Sequence, residues 1–155
     1  MDVASILAVL FDLDGTLVTA TRLRRGRIDS DVVDAVRAIA TRYRVGVVSD
    51  GGAERQRDKL RATGLAPLMS TVVISGEHRA QKPSRRIFAI ALAALRCAPD
   101  RVLFVGDDLR RDIAGASHAG MRACWVTNGR SSPTGGPRPD IEVDSVVALR
   151  EVLRC

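Results

Sequence analysis

At 155 residues the chain has the length of one ordinary domain, long enough to bury a core without a structural metal or disulfides. Hydrophobic residues at 46% and charged residues at 27% exclude a disordered chain, a collagen-like repeat and a coiled coil. The net charge of +6 suits an anionic partner or reflects a general preference for arginine, since only Lys59 and Lys82 among the 24 basic residues are lysines.

In chain order, Ile6–Phe11 is a continuous apolar run that predicts a buried strand. Ser30–Arg42 carries apolar residues at helical spacing (Val32, Val33, Val36, Ile39, Ala40), with Ser30 as the expected N-cap. Val45–Val48 follows as a strand, then Ala53–Thr63 as a helix stopped by Gly64. Thr71–Ile74 predicts a short strand, and Ser84–Arg96, just after Pro83, a helix. Val102–Val105 is the next strand, Leu109–Ala119 a helix closed by Gly120, Ala123–Val126 a strand and Ser145–Leu153 a last amphipathic helix. Strands alternating with helices predict a three-layer α/β/α sandwich with a Rossmann-like parallel sheet, spanning 1–155 as one domain.

Two stretches stand apart. Residues 17–29 include Arg22, Arg24, Arg25 and Arg27 and form either a small flap for an anionic substrate or a solvated basic loop. Residues 128–140 hold three Gly and three Pro, which predicts a flexible loop.

The longest uncharged apolar run, Ile87–Leu95, is nine residues, whereas a membrane span needs about 20. No membrane partner is therefore expected, and the N-terminus lacks the order of a signal peptide. Cys97, Cys124 and Cys155 are scattered and odd in number, which points to a reducing, cytoplasmic setting. Five aromatic residues are few for stacking bases, so nucleic acid is an open partner that no motif supports.

Parallel sheets bind ligands beyond the carboxyl ends of their strands, so the residues that end each strand matter most. The first strand ends in Asp12-Leu13-Asp14-Gly15-Thr16, the second in Ser49-Asp50-Gly51-Gly52 and the fourth in Gly106-Asp107-Asp108, with Asp112 beyond; Lys82 precedes the helix between the third and fourth. Clustered carboxylates without His or Cys are hard oxygen ligands suited to Mg²⁺. An Asp carboxylate can also attack phosphorus and form an aspartyl-phosphate. Asp12 and Asp14 are two apart, which on an extended strand places them on the same side. The Ser49 hydroxyl and the N–H groups of Gly51 and Gly52 suit phosphoryl oxygens. Without the other motifs, Asp12 and Asp14 would read as an ordinary turn. Asp108 reads as a helix N-cap or a group behind the metal ligands rather than a ligand, Gly115 as a position where a helix packs closely on the sheet, His78 and His118 as structural or surface residues, and Cys124 as core.

These motifs resemble the haloacid dehalogenase (HAD) superfamily. Its DxDGT signature matches Asp12–Thr16, its Ser/Thr-ended strand matches Val47-Val48-Ser49, and its Lys before Pro matches Lys82-Pro83. Its GDxxxxD segment matches Gly106-Asp107 through Asp112, continuing into Gly115 and Ala116. The resemblance implies a Mg²⁺-dependent phosphatase acting on a phosphate monoester. Asp12 would be the nucleophile and a metal ligand, and Asp14 the general acid/base with its backbone carbonyl on the metal. Lys82 would hold Asp12 and phosphate together, Asp107 would be a metal ligand and Asp112 either a ligand or a partner of the ligands, and Thr16, Ser49, Asp50 and Gly51 would face the phosphate. Members that cleave carbon–halogen bonds typically lack the acid at the position of Asp14.

Two departures bear on the substrate. Asp50 stands where close relatives commonly carry Asn, which adds a carboxylate near the phosphate. Only 34 residues separate Asp14 from Ser49 and 32 separate Ser49 from Lys82, too few for an inserted domain beside the core elements, so a capless site is expected. Such a site suits a small phosphorylated metabolite with a homo-oligomer completing the pocket. It also permits a macromolecular substrate, a nucleic-acid end or phosphoprotein. A non-catalytic binding module is the remaining alternative.

Overall fold

The structure, a computed structural model, describes residues 2–19 and 29–155. The Arg22–Arg27 segment therefore lies outside the described residues. Strand β1 (Ala8–Phe11) is buried along its whole length, which explains its unbroken apolar sequence. It pairs in parallel with β2 (Arg44–Ser49) on one side and β4 (Val102–Gly106) on the other, with Phe11 opposite both Val47 and Val105. With β3 (Met69–Ile74), β5 (Arg122–Val126) and β6 (Ile141–Val143), the sheet order is β3-β2-β1-β4-β5-β6, all parallel. This is the doubly wound order, whose direction reverses between β1 and β4.

Side chains alternate across the sheet and create two cores. Val9, Phe11, Val45, Val47 and Val105 pack with residues of α1 (Ser30–Ala40) and α6 (Val146–Val152), with Leu60 from α2 (Ala53–Ala62) at their edge. Ala8, Leu10, Val48 and Phe104 pack on the other face under α4 (Arg85–Leu95), where the Phe88 and Phe104 rings meet edge to face at 5.2 Å. The predicted three-layer α/β/α sandwich is the observed fold.

Several local details differ from expectation. The N-cap of α1 is Asp29, whose carboxylate accepts the Asp31 N–H at 3.1 Å, so Ser30 is the first helical residue rather than the cap. A single turn, α3 (Ser75–His78), follows β3, and β6 is a strand the sequence does not predict, because three residues behind a Pro/Gly-rich loop carry too little alternation. The helix expected over 109–119 begins as a π-helix (Leu109–Ala114) and finishes as α5 (Gly115–His118). Asp108 caps it by accepting from the N–H groups of Arg110 and Arg111. A Cβ on Gly115 would lie 2.7 Å from the Phe88 ring, so this glycine lets α5 approach α4 and not the sheet.

Candidate active site

Asp12 follows β1 and Asp107 follows β4, so the two flank the point where the strand order reverses. Between them stands Lys82, brought in by the loop that precedes α4, where the Lys82–Pro83 peptide is cis. The Lys82 ammonium donates to Asp12 Oδ1 and to Asp112 Oδ1, both at 2.7 Å, and lies over the Phe104 ring at 5.6 Å. The other Asp112 oxygen accepts the N–H groups of Asp107 and Asp108 at 3.1 and 3.0 Å. Asp112 thus ties the loop after β4 to the lysine. A Cβ on Gly106 would sit 2.4 Å from the Asp112 carboxyl carbon, so only glycine leaves room for this bridge.

Asp12, Asp107 and Asp112 each bring a carboxylate oxygen within 4.8 Å of the others. Burial pushes Asp12 up to about 7, although Lys82 pulls the other way. Burial would lower Lys82, but the charges of Asp12 and Asp112 outweigh it and push the ammonium up to about 12. Burial and then the Asp112 charge raise Asp107, against the pull of Arg130. Burial is thus the first cause of both raised carboxylates, and the neighbouring Asp112 charge adds to it in each case. A hard divalent cation with all-oxygen preference, such as Mg²⁺, fits this donor set.

Asp14 goes elsewhere. The strand ends at Phe11, so two-residue alternation does not govern the pair; the chain turns at once, with the Leu17 and Val18 N–H groups donating to the Leu13 carbonyl. Gly15 makes this turn at φ +85°, and a Cβ there would lie 2.5 Å from Asp107 Oδ2. Asn128 pins the turn by donating to the Gly15 carbonyl at 2.9 Å. The Asp14 carboxylate consequently faces α2, accepting Lys59 Nζ at Oδ1 and Gln56 Nε2 at Oδ2, both at 2.8 Å.

The remaining expected phosphate contacts divide. Thr16 is 4% exposed and its hydroxyl has no hydrogen-bond partner among the described residues, a condition that costs about 1–3 kcal/mol unless another molecule satisfies it. Ser49 is buried and accepts Gln56 Nε2 at 2.6 Å, which leaves its own O–H to donate. Gly51 differs from expectation: its N–H donates to Ser75 Oγ at 2.9 Å and is already committed. Asp50 also differs, because its carboxylate is turned onto the protein. One oxygen accepts the Lys82 backbone N–H at 3.0 Å and the other faces Arg111 at 3.8 Å.

Three residues at the site went unnoticed in the sequence. Gln56 and Lys59 are spaced i,i+3, which places them on one face of α2, a signal that was there to read. Arg130 lay inside the presumed loop, yet its guanidinium donates to the Asp107 carbonyl at 2.7 Å and stacks over Trp125 at 5.6 Å. Only the folded position of that loop reveals it.

A parallel sheet of this order, with carboxylates, a hydroxyl and a lysine gathered at its switch point, is the arrangement that the HAD resemblance of the motifs implies. A family model described as HAD-hydrolase-like matches residues 79–149. The phosphoserine phosphatase of Thermus thermophilus is 40% identical over 108 residues, covering 70% of this chain and 42% of that protein. The glyceraldehyde 3-phosphate phosphatase of Methanothermobacter thermautotrophicus is 36% identical over 119 residues, covering 72% of this chain and 51% of that one. The chain thus spans about half the length of these curated relatives. In fold it is similar to the HAD phosphatase from Thermococcus onnurineus, with a TM-score of 0.79 at 23% identity over 96% of this chain and 98% of that one. It is equally similar to the 2-haloacid dehalogenase from Pseudomonas syringae, with a TM-score of 0.81 at 20% identity over the same shares. The chain belongs to the haloacid dehalogenase superfamily. No helix among the described residues is long and apolar enough to cross a membrane.

Proposed function

We propose that this chain is a Mg²⁺-dependent phosphatase that hydrolyses the phosphate monoester of a small metabolite through an aspartyl-phosphate on Asp12. The observation that carries the reading is the Lys82 bridge between Asp12 and Asp112, with Asp107 beside it, at the sheet's switch point. The fold alone is shared by a phosphatase and a dehalogenase, so the side chains must choose. Asp14, a second carboxylate two residues after the nucleophile, favours phosphate esters, because a departing alkoxide needs a proton and a halide does not. The relatives named as phosphatases act on different small phosphorylated compounds, which supports the class of substrate and leaves its identity open.

Asp12, Asp107 and Asp112, with the Asp14 carbonyl, would hold Mg²⁺, which when bound supplies positive charge to the phosphoryl oxygens and to the crowded carboxylates. An Asp12 oxygen attacks phosphorus while the ester P–O bond breaks, and Asp14 gives its proton to the departing alcohol oxygen. Lys82 holds the Asp12 carboxylate in place and balances charge on the transferring group. The Ser49 and Thr16 hydroxyls donate to phosphoryl oxygens. Water then attacks the phosphorus of the aspartyl-phosphate, Asp14 takes its proton, and Asp12 and inorganic phosphate are released. The sum is monoester plus water to alcohol plus phosphate.

The test is hydrolysis of p-nitrophenyl phosphate with and without Mg²⁺, run beside Asp12→Asn. Turnover that requires Mg²⁺ and disappears in the variant is the expected result. Equal turnover by Asp12→Asn, or none from the wild type across a panel of phosphorylated metabolites, would overturn it.

A further inference from the structure

Gln56 is a polar residue only 2% exposed, in a helix otherwise turned largely to solvent. A buried amide is costly unless its hydrogens are spent, and both hydrogens of Nε2 are spent at this site. One goes to Ser49 Oγ at 2.6 Å and the other to Asp14 Oδ2 at 2.8 Å. Because a carboxylate only accepts, the amide nitrogen must be the atom that faces it, which fixes the orientation of the group. The amide also fills the space over the turn after β2, since a Cβ on Gly51 would lie 3.1 Å from its carboxamide carbon. One turn further along the same helix face, Lys59 reaches the other Asp14 oxygen at 2.8 Å.

Asp14 needs such a hold. Its side chain is 47% exposed, and although backbone hydrogen bonds and Asn128 fix the turn that carries it, they leave the carboxylate's own direction open. A carboxylate held by one donor at each oxygen has a fixed orientation, and each oxygen keeps a second lone pair for a proton or a water. The amide that grips Asp14 also grips Ser49, so the group that exchanges protons and the hydroxyl that faces the phosphate are registered to one another through a single nitrogen. Orientation of this kind is what catalytic groups lose first when their supports are cut.

We propose that Gln56 and Lys59 are positioning residues: a clamp on α2 that sets the Asp14 carboxylate against the Ser49 hydroxyl, so that the domain orients its proton donor with its own helix. The assignment of proton transfer to Asp14 rests on the phosphatase reading above; the clamp itself rests on the contacts. If the clamp serves proton donation, its removal hurts most where the leaving group must be protonated to depart. Single-turnover release of alcohol is therefore measured for two substrates, p-nitrophenyl phosphate and β-glycerophosphate, in wild type, Gln56→Ala, Lys59→Met and Lys59→Arg. Glycerol release falls about 10- to 100-fold in Gln56→Ala and Lys59→Met. The ratio of glycerol to p-nitrophenol release falls at least about tenfold, KM stays within about threefold, and Lys59→Arg, which keeps a cationic donor, recovers most of the loss. Equal losses on both substrates would mean a merely structural role and overturn the proposal. Lys59, partly exposed where Gln56 is fully buried, keeps the test open if Gln56→Ala fails to fold. A crystal structure of Lys59→Met and Gln56→Ala adds a readout independent of turnover: the Asp14 carboxylate should leave its place beside Ser49. An Asp14 that stays put overturns the clamp, whereas a wild type inactive with Mg²⁺ overturns the phosphatase reading and leaves the crystal structures to decide the clamp.

Discussion

The Lys82 ammonium and the Asp12 carboxylate meet at 2.7 Å in the interior, with 3% and 10% of their side chains exposed. Burying two charges gains little by itself, because desolvation consumes most of the attraction. Removing one partner is another matter. Lys82→Met would leave Asp12 and the almost fully buried Asp112 facing each other with no cation between them. The expected loss is about 3–5 kcal/mol, read as a lower urea midpoint at unchanged slope. A second change, Asp112→Asn, should return part of it by removing one of the stranded charges. A loss below about 1 kcal/mol would mean that water reaches the pair and that burial is not what makes it tight.

Asp50 stands where the HAD resemblance leads one to expect Asn, and its bonding shows what the carboxylate does there. Its Oδ1 accepts the Lys82 N–H, a task an amide oxygen performs as well, while Arg111 meets the extra charge across 3.8 Å with half its side chain in solvent. Asp50→Asn should therefore keep the wild-type midpoint within about 0.5 kcal/mol, whereas Asp50→Ala should lose about 1–2 kcal/mol by stranding the N–H. Thermal unfolding at matched ionic strength separates the two. Equal damage from both would show that the charge opposite Arg111, and not the hydrogen bond, is what counts.

How far the sequence reached follows from the kind of signal each feature carries. The sheet and its two-sided burial were legible because Ala8–Phe11 and Val102–Val105 are unbroken apolar runs, and only strands covered on both faces read so. Asp12, Lys82 and Asp107 were legible because each sits at a strand end or just before a helix, and parallel topology brings those positions together; Asp112, inside the helix that follows, was legible only through its spacing from Gly106-Asp107. The fate of Asp14 was not. It depends on the turn at Leu13, where backbone hydrogen bonds replace strand alternation. Gly51 looked free because nothing local shows that Ser75, 24 residues away, will take its N–H. Arg130 was hidden by composition, since a Pro/Gly-rich stretch says how the backbone can bend and nothing about which carbonyls it will meet.

The three cysteines should separate by reactivity. Cys124 is fully buried in β5 and its thiol is pushed by burial up to about 12. The nucleophile in alkylation is the thiolate, and a raised value means the proton is retained well above the point, about 8.5, where an ordinary cysteine ionises. At that pH iodoacetamide should label Cys97 and Cys155 in the native protein and Cys124 only after unfolding, with Cys155 slowed because burial raises its thiol against Arg42 and Arg150. Peptide mass mapping reads the sites directly. The sign also fixes a stability trend: above about 8.5 the unfolded chain releases the Cys124 proton and the folded chain does not, so stability contributed by that thiol declines as pH rises. Rapid native labelling of Cys124 would mean that β5 opens locally.

A cation at the carboxylate cluster should be visible from Trp125, the one tryptophan in the chain. Its indole N–H donates to the Asp107 carbonyl at 3.0 Å, and Arg130 spans both residues, stacking over the ring and donating to the same carbonyl at 2.7 Å. Any cation that draws on the Asp107 carboxylate competes with the Arg130 contact at 3.5 Å to Oδ2 and alters the field around the indole. Titrating Mg²⁺ should therefore change Trp125 emission saturably, in a metal-free buffer and without substrate. Asp107→Asn should lose the response through the ligand, and Asp12→Asn should weaken it through the shared site. Arg130→Gln should change the amplitude more than the midpoint, because the arginine transmits the event to the ring without being an oxygen donor to the metal. A response that survives intact in Asp107→Asn would place the cation elsewhere, and a flat titration in the wild type would argue that the three carboxylates are neutralised by protons and Lys82 alone.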